Sequence, residues 1–193
     1  MTAFTNNYAK EAQRLFVAVP LPDRLKSALG AWSRELRASS PFRKWTEEAD
    51  LHVTLQFLGD TEPNRLPALQ AALAAAIGRI EPFRLVLQGM GTFGRPEQPR
   101  VLWAGIGGEL DALRGLQRTI VEATAPLGFQ AEERPYSPHL TIARSSTGTA
   151  SFSLPQLLRT DAPPAWQVNE IVLYRTHMHQ RPMYETIARF PMR

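Results

Sequence analysis

Apolar positions along the chain recur with two periods. Leu25, Leu29, Trp32 and Leu36 share one face of a helix, as do Leu66, Leu69, Leu73 and Ile77, and again Leu110, Leu113, Leu116 and Ile120. Asp60 and Thr61 predict the cap of the second helix, with Pro63 in its first turn, and Gly128 predicts the end of the third. Short apolar runs predict strands at residues 14–20 (RLFVAVP), 51–59 (LHVTLQFLG), 83–88 (FRLVLQ), 100–106 (RVLWAGI), 139–144 (HLTIAR), 168–174 (VNEIVLY) and 183–189 (MYETIAR). A brief strand at FRKW and a short helical turn around Leu154 to Leu158 complete the expectation. The Gly- and Pro-rich residues 89–99 predict the connection of a hairpin, and the last two strands an antiparallel pair. Helices and hairpins in mixed order predict an α+β fold rather than a doubly wound parallel sheet.

Two of the apolar strands carry the same polar insertion. His52-Val-Thr54-Leu in the first half is answered by His139-Leu-Thr141-Ile in the second. Strand side chains alternate faces, so each His and Thr point one way, while Val53, Leu55, Leu140 and Ile142 point to the opposite, buried side. If a pseudo-twofold axis relates the halves, the two polar patches face each other across one cleft. Two imidazoles so placed form a general acid–base pair, one removing a proton from water and the other protonating a leaving oxygen. Two threonine hydroxyls could then hydrogen-bond the non-bridging oxygens of a phosphate as charge builds. A phosphodiester needs all of these functions, and none of them needs a metal or other cofactor.

Composition narrows the setting. With 193 residues, 44% of them hydrophobic and 21% charged, the chain suits one domain or two small lobes folded together. It has no cysteine, which excludes disulfides and thiolate chemistry and suits a reducing, cytoplasmic location. No apolar run reaches the ~18 residues of a membrane span, so no membrane partner is expected. Residues 1–13 lack the apolar core of a signal peptide and read as a short disordered leader before a folded domain of residues 14–193. The net charge is +4, and lysine occurs only at Lys10, Lys26 and Lys44. The arginine-borne charge suits a phosphate-bearing partner, though no dense basic run concentrates it.

With its paired HVTL and HLTI motifs, the chain resembles the 2H phosphoesterases, and among them the bacterial and archaeal RNA 2′,3′-cyclic phosphodiesterases of the 2′-5′ RNA ligase type. RLFVAVPLP is similar to that family's opening strand, LHVTLQFLGD and YSPHLTIAR to its two motif regions, and GMGTFGRPEQPRVLWAG to its central hairpin. The resemblance implies two similar α+β lobes around a central cleft. It makes His52 the proton donor to the leaving ribose oxygen and His139 the base that activates water, with Thr54 and Thr141 holding the phosphate. The implied partner is RNA ending in a 2′,3′-cyclic phosphate, opened to a 2′-phosphomonoester, with 2′-5′ ligation as a related activity. The protein is expected to act as a monomer and without metal. Arg144 occupies the place of an arginine in the family's second motif. Strict alternation turns Arg144 away from His139, so it reaches the cleft only where the strand ends or bulges. Tyr136 either stacks on a terminal base or packs within the fold, and Phe16 is expected in the core, with the cleft as the alternative. The segment RTHMHQRPMY departs from the family's usual turn.

Other readings stay open. A cyclic phosphodiesterase could act on a small nucleotide or an ADP-ribose derivative, or a non-catalytic protein could bind RNA ends. A metalloenzyme could use His52, His139 and His177. The spacing of Gly89, Gly91 and Gly94 mimics a dinucleotide-binding fingerprint, but Pro96 and Pro99 follow where that motif needs a helix. His177 and His179 read as an exposed turn, and Trp32, Trp45, Trp103 and Trp166 as packing residues.

Overall fold

The computed structural model describes residues 12–95, 98–146, 153–158 and 162–193. Most of the expected leader, residues 1–11, lies outside the described residues, and Gln13 already pairs with Thr61 in the sheet. The strands are β1 (Gln13–Pro20), β2 (Phe42–Trp45), β3 (His52–Thr61), β4 (Phe83–Arg95), β5 (Gln98–Gly108), β6 (His139–Ser146), β7 (Ala165–Val168), β8 (Glu170–Thr176) and β9 (Tyr184–Pro191). The helices are α1 (Asp23–Arg37), α2 (Leu66–Ile77) and α3 (Leu110–Thr124).

All strand pairs are antiparallel, in the order β7-β4-β5-β6-β3-β1-β8-β9, with β2 also on β6. The fold is α+β, as the mixed element order predicts. Each half of the sheet reads outward from a His-x-Thr strand: β3-β1-β8-β9 on one side and β6-β5-β4-β7 on the other. The halves meet at one register pair, Val53 with Leu140, the residues that follow the two histidines.

One continuous core lies on the helix-covered face. Leu15, Val17 and Val19 of β1 join Leu29 of α1, Leu69 and Leu73 of α2 and Leu113 and Leu116 of α3 in it. Phe16 and Ala18, the alternate residues of β1, face the other way and form a small second cluster with Val172 and Tyr174. The sheet therefore has a helix-packed face and a second face on which the polar patches lie. No helix among the described residues is long and apolar enough to cross a membrane.

Several expected elements are redrawn by long-range pairing. Asp60 and Thr61 do not cap a helix. β3 runs on through the buried Thr61, whose hydroxyl donates to the Gly59 carbonyl at 3.2 Å, and a single 3₁₀ turn at Pro63–Arg65 leads into α2. The expected hairpin forms, with strands longer than predicted, because the β4–β5 ladder continues to Arg95 opposite Gln98. Gly91 lies so close to the Trp103 ring that any Cβ there would collide with it, which is why a glycine run can be a strand here. The expected strand 168–174 is divided at Asn169: Val168 ends β7, on the edge beside β4, and Glu170 starts β8, beside β1. No helical turn forms at residues 153–158; the segment is irregular, and Trp32 Nε1 donates to the Gln156 carbonyl there at 3.2 Å.

Candidate active site

His52 opens β3 and His139 opens β6, each half-buried and each followed by a residue of the helix-side core. The two are held alike. His52 Nδ1 lies 2.7 Å from the carbonyl oxygen of Asp50, and His139 Nδ1 lies 2.8 Å from that of Ser137. A carbonyl can only accept, so in both rings Nδ1 carries a proton and Nε2 is the nitrogen left for chemistry. Nε2 of His52 is 3.1 Å from Thr54 Oγ1, as the i, i+2 spacing on one strand face requires.

The strands also deviate alike. Ala18 pairs with Thr54 and Val17 with Gln56, leaving Leu55 as an extra residue. Trp103 pairs with Thr141 and Leu102 with Ala143, leaving Ile142 as the extra one. Each bulge lies just beyond the threonine and reverses the alternation after it. Arg144 is thereby returned to the His139 face, and its Nη2 donates to Thr141 Oγ1 at 3.4 Å. Strict alternation would have turned it away; the bulge is what brings it in. The corresponding position on β3 is Phe57, 53% exposed and on the cleft wall, a residue the sequence reading passed over because it sits inside an apolar run.

The surroundings of the two rings differ. His52 rests among Phe16, Tyr184 and Tyr174, with ring centroids at 4.8, 5.1 and 6.0 Å. Phe16 is buried in core, as expected, but in the small cluster on this face, where its ring packs against His52. Burial pushes the His52 pKa down to about 4; the positive Arg144, Lys26 and His139 push the same way, against the hydrogen bond to Asp50. His139 meets the edge of Phe93 at 4.9 Å, and its pKa is lowered by burial and by Arg144, against the Ser137 carbonyl and Glu132.

A cleft of about 820 Å³ runs from Thr54 and His139 along Phe57, Phe93 and Tyr136. Arg95, Arg100, Arg134 and Glu132 also line it. Tyr136 is half-buried, and its hydroxyl donates to the Thr54 carbonyl at 2.9 Å, tying the segment before β6 to β3 across the junction of the halves. Burial raises its pKa, so the hydroxyl keeps its proton, while the ring remains on the cleft wall.

The remaining candidates lie elsewhere. His177 and His179 sit in the β8–β9 turn, with His177 Nε2 2.7 Å from Glu185 Oε2 and His179 exposed. Among the described residues no three His, Cys, Asp or Glu side chains group as metal ligands would. The run from Gly89 to Gly94 belongs to β4 and precedes no helix.

The chain as a whole is similar to proteins already known. Residues 22–180 match the model of the 2′-5′ RNA ligase superfamily. An RNA 2′,3′-cyclic phosphodiesterase of Geobacillus stearothermophilus is 46% identical over 179 residues, covering 92% of this chain and 56% of that protein; this chain thus spans little more than half the length of that relative. A protein of the same name from Bacillus subtilis is 30% identical, with 92% and 95% covered. Among solved structures, Escherichia coli LigT complexed with 3′-AMP superposes with a TM-score of 0.77 at 26% identity, over 94% of this chain and 99% of that one. TT0787 of Thermus thermophilus superposes with a TM-score of 0.79 at 28% identity, over 93% and 98%.

Proposed function

Because the chain belongs to the 2′-5′ RNA ligase superfamily, among the 2H phosphoesterases of the RNA 2′,3′-cyclic phosphodiesterase type, we propose that it opens terminal 2′,3′-cyclic phosphates on RNA. The observation that carries the reading is the pairing of two His-x-Thr strands at Val53 and Leu140, each with Nδ1 tethered and Nε2 left for chemistry.

In this scheme the neutral His139 takes a proton from water as the water oxygen bonds to phosphorus. The bond from phosphorus to the 3′ oxygen breaks, and protonated His52 gives its proton to that oxygen. The product is a 2′-phosphomonoester. A 5′-hydroxyl in the water's place would leave a 2′-5′ linkage. Thr54 and Thr141 donate to the non-bridging oxygens, and Arg144, brought alongside Thr141 by the bulge, balances their charge. No step calls on a metal.

The cleft favours an RNA end over a small nucleotide. Exposed aromatic rings at Phe57 and Phe93 offer stacking surfaces to an unpaired base, and Arg95, Arg100 and Arg134 line the same cleft, where they would meet further phosphates of a strand. The test is an end-group assay with EDTA present, comparing a short RNA ending in a 2′,3′-cyclic phosphate with a cyclic mononucleotide. The expected result is a 2′-monophosphate on the RNA, formed with a kcat/KM at least tenfold above that for the mononucleotide. Equal or better turnover of the mononucleotide would move the substrate to the small-molecule class, and loss of activity in EDTA would point to a metalloenzyme.

The lowered imidazole pKa values give a pH prediction. The base loses activity as pH falls through its pKa, and the acid loses activity as pH rises through its own. Both groups of the free protein titrate below the ordinary 6.5, His52 at about 4, so the bell in kcat/KM should peak on the acid side of 6.5. The bound phosphodiester is anionic and raises both values, so the bell in kcat should lie at higher pH. Rates measured from pH 4 to 9 check this; a kcat/KM maximum at or above pH 7 would contradict it.

A further inference from the structure

The tether behind His52 is built differently from the one behind His139. Ser137, which holds His139, is exposed. Asp50, which holds His52, is 5% exposed, and its carboxylate bonds backbone rather than a cation: Oδ2 accepts from Met183 N–H at 2.8 Å and Oδ1 from Tyr184 N–H at 3.0 Å. Those donors mark the end of the β8–β9 turn and the start of β9, and Tyr184 is the residue whose ring meets His52 edge-on. The turn before β3 is held from a third side by α1. Lys26 Nζ donates to the Ala49 carbonyl at 3.0 Å, and Ser27 Oγ to Glu48 Oε1 at 2.6 Å.

We propose that Asp50 is a positioning residue that joins His52 and the C-terminal turn into one unit, its carbonyl orienting the imidazole and its carboxylate closing the aromatic enclosure around it. The consequence is a division of labour between two histidines of the same local design. His52 is ringed by aromatic side chains and held on a buried tether, as suits a group that hands a proton to a leaving oxygen. His139, on a less buried tether, stays open to the water it activates.

Several charged or titratable groups face His52: Lys26 from α1, Arg144 and His139 from β6, Tyr174 from β8 and Tyr184 from β9. None of them is removed by a change at Asp50. Release of the β9 end should therefore act mainly by letting water reach the ring, which raises an imidazole pKa. Loss of a nearby negative charge alone would lower it. The sign of the shift separates the two.

The experiment is a pH titration of the histidine ring nitrogens by NMR in the parent, Asp50→Ala and Asp50→Asn, with the His52 signals assigned from their absence in His52→Ala. The expected result is a rise of the His52 pKa by about one unit in Asp50→Ala and less in Asp50→Asn, whose Oδ1 still accepts one N–H. His139 should be unmoved. kcat on the cyclic-phosphate RNA, compared at each variant's own pH optimum, should drop about tenfold with KM little changed, because the proton is no longer delivered from a fixed position. An unchanged or lowered His52 titration in folded Asp50→Ala would overturn the proposal, and if that variant fails to fold, the same outcome in Asp50→Asn does so. The proposal rests on His52 as proton donor, but ring titration needs no turnover. Failure of the parent to open a cyclic phosphate would count against the function, not against this linkage.

Discussion

Replacing His139 with alanine is expected to lower kcat on a cyclic-phosphate RNA by roughly 10²- to 10⁴-fold, and replacing His52 to do the same, while both proteins stay folded. The size follows from what each ring supplies, a proton moved at a fixed point in the transition state. Folding should survive because neither ring is part of the helix-side core, whose buried residues at the junction are the neighbouring Val53 and Leu140. The two losses should not multiply. Once one proton transfer is removed, the other has no concerted partner, so the double variant should be little slower than the worse single one. Circular dichroism and rates on the same preparations decide the matter. A folded single variant within tenfold of the parent would sink the paired-histidine scheme.

The second large effect is expected at Arg144. Its guanidinium reaches Thr141 Oγ1 and depresses both imidazole pKa values. Arg144→Gln should cost about 10²- to 10³-fold in kcat/KM, the scale of losing one preorganised donor to a developing oxyanion. It should also move the kcat/KM bell to higher pH, since a positive charge that favoured the neutral rings is gone. Arg144→Lys should restore part of the pH position but little of the rate, because an ammonium keeps the charge without the planar fork. If the rate falls but the bell does not move, Arg144 holds phosphate without setting the protonation of the pair.

Phe57 and Arg144 lie at matched places on the two strands, each two residues past its bulge. The local design of the halves is the same up to that point and diverges there, one strand offering a ring and the other a cation. The cleft follows the ring. A site whose two histidines are nearly interchangeable in local structure is given a direction by what surrounds them.

Much of this was legible in the residues. Strand alternation alone placed His52 beside Thr54 and His139 beside Thr141 on a face opposite Val53 and Leu140, because side-chain parity is a property of a few consecutive residues. The helix faces around Leu29, Leu73 and Leu116 were readable for the same reason. Where pairing partners lie far apart in the chain, the sequence pattern was silent or misleading. Arg144 points into the site only because β5 and β6 are out of step by one residue between Leu102 and Trp103. The run from Gly89 to Gly94 is strand because Trp103 packs against it, and the 168–174 run breaks because its two ends pair with different strands. No local pattern singles out Asp50, because its carboxylate meets the backbone of Met183 and Tyr184, more than a hundred residues away. Local periodicity thus determined which groups this protein could present, and tertiary pairing decided which of them meet, since register across a sheet is set by contacts that no short stretch of chain contains.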